Sequence, residues 1–210
     1  MPSPTTAPAG PGRPRRYETA EELQLLFDAA FEVMRQKGYQ DVTVGDILAA
    51  AGVSTRSFYR HFASKEELLA AMFGRDAEQF AAAIARRVDA APTPRAAVVV
   101  WIDEILGFGL GRGRARRAAV LGSPAAMRAL PADVLARAGL LLTAPLIGAL
   151  TAGCADGTIP TVDADRDAAS ISAIAWDASA RLRDNKSRRE QERIRECAIA
   201  FVERALGITT

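Results

Sequence analysis

The residues best equipped for chemistry in this 210-residue chain lie in a run of twelve, Ser54 to Lys65. It holds Arg56, Arg60, His61 and Lys65 and no acid. Such a run suits contact with phosphate far better than catalysis. His61 is the one histidine in the sequence, so no Ser/His/Asp or Cys/His arrangement can be assembled without it. Asp163 and Asp165 alternate with alanine where a helix should begin. Acids there favour the positive end of the helix dipole, so they read as capping residues rather than as a metal or acid/base pair. Cys154 and Cys197 are far apart without metal-ligand neighbours, and read as inert packing residues. The stretch Gly107-Phe-Gly-Leu-Gly-Arg-Gly-Arg has the glycines of a phosphate loop. It lacks both the preceding strand and the Gly-Lys-Ser/Thr ending, and reads as a connector. No enzyme activity, metal or cofactor is expected.

The basic run needs an element to present it, and Thr43 to Lys65 supplies one. Thr43 N-caps a helix with Asp46 three residues on, and Val44, Ile47, Leu48 and Ala51 form its apolar face. Gly52 allows a sharp turn and Val53 plugs the corner. Ser54 caps a second helix in which Phe58 and Phe62, four apart, turn inward. Thr55, Arg56 and Tyr59 fall on the opposite side, free to touch a partner. This is a helix-turn-helix, in which one helix braces and the next is presented to the major groove. Arg56 can donate twice to guanine or can contact phosphate. Thr43, Ser54 and Ser57 can donate to phosphates, and Arg60 and His61 extend the basic patch.

The combination Ala50-Ala51-Gly52-Val53-Ser54, then Phe58-Tyr59-Arg60-His61-Phe62, then Ser64-Lys65-Glu66-Glu67-Leu68 resembles the tetracycline-repressor family of bacterial transcription regulators. The likeness runs from about Glu18 to Phe73; beyond it, only length and helical layout agree. Arg56 departs from the pattern, standing where many members carry a small residue. The resemblance implies that Tyr59, His61 and Lys65 contact the DNA backbone, and that a small molecule in the second domain controls release from a near-palindromic operator. Repression is the usual outcome. Two alternatives stand beside this reading: a helix-turn-helix protein acting only through a protein partner, and an enzyme with a carboxylate site that the sequence does not display.

Length suits one or two domains, and composition fits an all-α protein. Hydrophobic residues make up 49% of the chain, much of them alanine, and the net charge is only +2. Residues 1–16, with Arg13, Arg15 and Arg16, read as a disordered basic arm that reaches phosphate or simply solvates the chain. Residues 17–66 form the DNA-binding domain, and residues 67–210 a helical effector-binding and dimerisation domain. Thr19 with Glu22 suggests a capping box opening the first helix, which ends at Gly38. Ser64 opens a long helix to about Val88, read as the one element able to connect the two domains mechanically. Further helices are expected over about 94–110, 114–121, from 123 to before 131, 131–152 with a kink at Pro145, 163–183 and 188–206. Arg112, Arg114, Arg116 and Arg117 read as a solvated face or an anion-attracting patch.

Trp101, Ile105, Phe108, Met127, Leu142 and Trp176 are candidate linings of an apolar effector pocket. Ile171, Ala178, Leu182, Ile194, Phe201 and Val202 are candidates for pairing the last two helices with a second copy, as a four-helix bundle in a homodimer. No apolar run of about 20 residues and no signal-peptide core are evident, so a cytoplasmic protein without a membrane span is expected.

Overall fold

The computed structural model describes residues 19–108, 110, 112–160, 163–185 and 187–208. The arm at 1–16, with Arg13, Arg15 and Arg16, lies outside them, as do the side chains of Arg112 and Arg114. Ten helices and no strands occur among the described residues. They are α1 (Thr19–Lys37), α2 (Val44–Ala51), α3 (Thr55–His61), α4 (Lys65–Asp89), α5 (Pro94–Leu106), α6 (Arg112–Leu121), α7 (Pro124–Ala129), α8 (Ala132–Ala155), α9 (Ala164–Asp184) and α10 (Arg188–Ala205). Their ends follow from local chemistry. The side chains of Thr43, Ser54, Ser64, Thr93, Ser123, Asp163 and Ser187 each accept from an amide of the following helix.

Burial divides these helices between two apolar cores. The first gathers Leu26, Ala30 and Met34 of α1, Ile47 of α2, Phe58 and Phe62 around α3, and Leu68, Leu69 and Met72 of α4. It also takes in Leu121, Ala126 and Leu130, from α6, α7 and the residue after α7. The second holds Phe80, Ile84 and Val88 of α4, Trp101, Ile102 and Ile105 of α5, Leu146 and Leu150 of α8, and the inner stripes of α9 and α10. Met72 and the α6–α7 corner thus share a core with residues before 66, across the boundary read from the sequence.

This packing corrects the view of α4 as the sole mechanical link. Arg117 of α6 donates to both carboxylate oxygens of Asp76 on α4, at 2.6 and 2.8 Å, while its guanidinium lies 5.0 Å from the ring of Phe31 on α1. Arg75 of α4 makes a parallel contact, 5.4 Å from the ring of Phe27 one helical turn earlier, and donates to Gln24 at 2.8 Å. Two cation–π contacts therefore tie α4 and α6 to one face of α1. Such long-range contacts leave no mark in local periodicity.

Helix α8 runs on through Pro145. Proline offers no amide to the carbonyl of Leu141. The next carbonyl, of Leu142, accepts from Trp101 Nε1 at 2.8 Å, which satisfies the polar edge of a fully buried indole. By length and composition α8 is apolar enough to cross a bilayer, and 28% of its most apolar stretch is buried. It nonetheless packs against α4, α5 and α9.

Candidate nucleic-acid interface

The turn is built as its residues dictate. Thr43 Oγ1 accepts from the Asp46 amide at 3.2 Å, and the Thr43 amide donates to Asp46 Oδ2 at 2.9 Å, a reciprocal capping box. Asp46 also receives Lys37 Nζ at 2.6 Å. The hydrogen bond from Lys37, followed by those from Thr43, holds the Asp46 carboxyl well below the usual carboxylate range. Gly52 has φ +65°, and its amide closes α2 on the carbonyl of Leu48 at 3.0 Å. A β-carbon would be strained in that left-handed conformation.

Helix α3 then presents two faces of different chemistry. Outward, Thr55, Arg56 and Tyr59 are exposed, Tyr59 to 56%. Arg56 makes no hydrogen bond or ion pair with any described residue. Inward, Phe58 is fully buried beside Phe62, which in turn lies 6.0 Å from Phe27. Between these faces stands Glu22 of α1, only 9% exposed. Its carboxylate accepts from the Ser57 hydroxyl and the Arg60 guanidinium, and His61 Nε2 lies 3.1 Å away. Burial alone pushes the Glu22 carboxyl up. The hydrogen bonds of Ser57 and His61 and the charge of Arg60 outweigh it and hold the group below its ordinary value.

The nine residues expected at DNA therefore separate into groups. Thr55, Arg56 and Tyr59 are open to a partner. Thr43 and Ser54 sit exposed at the starts of α2 and α3, already acting as caps. The Ser54 hydroxyl accepts from the Ser57 amide and keeps its own proton to donate. Thr43 spends its proton on Asp46. Ser57, Arg60 and His61 converge on Glu22. Lys65 donates to the carbonyls of Tyr39 at 3.1 Å and Val42 at 2.7 Å, with its ammonium 4.5 Å from the Tyr39 ring. Tyr39 closes this corner by donating to Glu66 at 3.0 Å; burial first, then that carboxylate, pushes its phenol up to about 12.

Glu22 is where local spacing says least: three residues after Thr19 it suggests a capping pair, and the fold turns its carboxylate to α3. A signal was present: Glu22 is in register with Leu26, Ala30 and Met34, so a carboxylate falls on the buried stripe of α1. An acid at that position needs donors from the element packed on it.

The candidate pocket and dimer residues are also dispersed. Trp101 and Ile105 are fully buried in the second core. Phe108, Leu142 and Trp176 lie partly buried at its edge, with Phe108 between Phe80 at 4.9 Å and Trp176 at 5.2 Å. Met127 packs on the first core instead, apart from the other five. Ile171, Ala178, Leu182 and Val202 are 1–6% exposed within one chain and keep little surface for a second. Ile194 is half-buried, and Phe201 is 50% exposed.

Comparison with known proteins places this geometry. Residues 26–72 match the family model described as bacterial regulatory proteins, tetR family. The HTH-type transcriptional regulator TcmR of Streptomyces glaucescens is 39% identical over 83 residues, 40% of this chain and 36% of its own length. The chain thus aligns with little more than a third of that relative. FadR of Bacillus subtilis, solved with stearoyl-CoA, superposes with a TM-score of 0.66 at 21% identity, covering 89% of this chain and 99% of its own. A protein of Saccharomonospora viridis, described as a transcriptional regulator and solved with choline, superposes with a TM-score of 0.69 at 18% identity, covering 88% and 96%. Residues 26–72 thus carry the amino-terminal module of the tetR family of bacterial regulatory proteins, and the fold of the chain as a whole is shared with these solved structures.

Proposed function

We propose that this protein is a ligand-responsive DNA-binding transcription regulator of the cytoplasm, acting as a repressor and not as an enzyme. The observation that carries the reading is the outward face of α3. Thr55, Arg56 and Tyr59 stand exposed on a helix braced from behind, and Arg56 has no partner within the described residues. A free guanidinium on a presented helix suits bidentate donation to a guanine edge. The Ser54 hydroxyl and the amides at the starts of α2 and α3 suit phosphate oxygens.

A homodimer would set two such helices about one duplex turn apart, roughly 34–36 Å, or somewhat further, and so match a near-palindromic operator. Since the inner stripes of α9 and α10 are spent on the chain's own core, we assign the pairing surface to their outer faces. Ser170, Ala173 and Asp177 of α9 and Cys197 and Phe201 of α10 are exposed there. Small residues on α9 would let helices approach closely, with Phe201 as the large apolar contact.

For effector control, the fold neighbours above were solved with ligands as different as stearoyl-CoA and choline. In this chain the partly buried Phe108, Leu142 and Trp176 favour a small hydrophobic molecule at the edge of the second core. Trp101 and Ile105 would stand behind them.

Selection from a pool of randomised duplexes tests the reading. A regulator of this design returns one near-palindromic sequence, bound by a species that sediments as a dimer. Recovery of unrelated sequences, or a monomer at micromolar concentration, overturns it.

A further inference from the structure

A groove between α4 and α8 remains outside everything assigned so far. Both helices run from the first core towards the second. Helix α4 goes from Leu68 to Val88, and α8 from Val134 beside the first core to Leu150 in the second. Their facing surfaces leave a groove of about 360 Å³, a volume suited to a small organic molecule. Ala70, Ala71, Gly74, Ala77 and Ala138 form its apolar floor, and Leu141 closes one side. Leu140, beside Leu141 and three residues from Arg137, is 70% exposed.

The charges around this floor are uneven. Arg137 is held by Glu78 at 3.1 Å, so its charge is already answered. Glu67 uses Oε2 to accept from the Ala63 amide at 2.6 Å, in the loop between α3 and α4. Asp133 makes no hydrogen bond or ion pair with any described residue. An apolar floor bounded by one carboxylate without a partner and another half-used is complementary to a molecule with an apolar body and a positive head.

We propose that this groove binds a small amphiphilic organic cation, its apolar body on the alanine and glycine floor and its charged head between Asp133 and Glu67. The site is separate from the aromatic cluster of Phe108 and Trp176. Its occupant would press on the first three turns of α4 and compete for the carboxylate that holds the loop after α3. Occupancy would therefore act on the placement of α3, a consequence that rests on the DNA-binding reading.

The test uses the full-length protein without DNA. Octyltrimethylammonium, octanoate and octanol share a chain and differ in charge, and their binding is measured by calorimetry. The cation is expected to bind saturably and the other two not. Gly74→Leu should abolish that binding: a β-carbon at Gly74 meets no atom within 4 Å, so the side chain fills the groove without forcing the helices apart. Asp133→Asn should weaken binding about tenfold, as for loss of one charge-assisted contact. No saturable binding, equal binding of octanoate, or binding indifferent to both substitutions overturns the proposal. So does a change of oligomeric state in Gly74→Leu, which would assign the groove to a second copy. Operator binding by both variants is measured separately, so failure of the site and failure of the regulator reading give different results.

Discussion

The two cores of this chain differ in where charge enters. Around the second, the ion pairs Arg87–Glu104, Arg95–Glu203 and Arg195–Asp103 join α4, α5 and α10, whereas around the first charged side chains hold α2, α3 and the adjoining loops. The second is an apolar interior in the ordinary sense: Trp101, Ile84, Ile102, Ile105, Leu146 and Leu150 are at most 1% exposed, and the indole nitrogen finds a carbonyl. The first is smaller and pinned by charge at its margins. Glu22 gathers Ser57, Arg60 and His61; Lys65 holds two loop carbonyls; Lys37 holds Asp46. Apolar burial is non-directional and tolerates small shifts, whereas hydrogen-bonded charges fix an angle. The difference matches the tasks proposed for the two regions. The helix that must enter a groove in one orientation is itself gripped by directional contacts, whereas in the second region such contacts lie at the margin of an interior filled by packing.

The largest predicted effect strikes the second core. Trp101→Ala removes a fully buried side chain and should cost about 3–5 kcal/mol, read from the denaturant midpoint. A cost below 1 kcal/mol would mean the interior is looser than described. Glu22→Ala comes next. It leaves the Ser57 hydroxyl and His61 without their acceptor and should cost about 1–3 kcal/mol of stability. DNA affinity should fall as α3 loses its angle, and Glu22→Gln should recover part of both. If Glu22→Ala left stability unchanged, the directional account of the first core would fail.

Acid should single out the same core. The folded-state value of the Glu22 carboxyl lies below its ordinary 4.5, so its stabilisation is present above about pH 4.5. That contribution is lost as pH falls through the lower, folded value. Thermal unfolding of Glu22→Gln should be correspondingly less sensitive to acid over that interval than that of the wild type. The smallest effect is expected where the cores meet. Arg117→Gln breaks a partly exposed pair worth about 0.2–1 kcal/mol. Its clearest sign should be faster amide exchange around Phe31 on α1, with α5 unchanged.

The sequence shows the first core more readily than its margins. The turn at Gly52, the caps at Thr43, Ser54 and Ser64, and the outward set Thr55, Arg56 and Tyr59 follow from spacing alone, because each depends on residues within a helical turn. The Glu22 cluster spans 35 to 39 residues, and the Arg117 clamp on Asp76 spans 41. Neither is visible to local periodicity. The apolar stripes of α9 and α10 are equally ambiguous. Period marks which residues share a face, but not whether Ile171 and Leu182 meet their own chain or another. In the fold they meet their own, which leaves Ala173, Cys197 and Phe201 facing outward.

The division of α3 into a reading face and an anchored face is tested most directly by salt dependence. Operator affinity is measured across ionic strength for the wild type, Arg56→Ala and Arg60→Ala. Arg56→Ala should cost about 1–3 kcal/mol at one base pair and relax preference there. If the pairing with Glu22 is the main role of the half-exposed Arg60, Arg60→Ala should weaken binding while leaving the slope of log affinity against log salt unchanged. A slope reduced by about one in Arg60→Ala, with Arg56→Ala neutral on every sequence, would contradict the account.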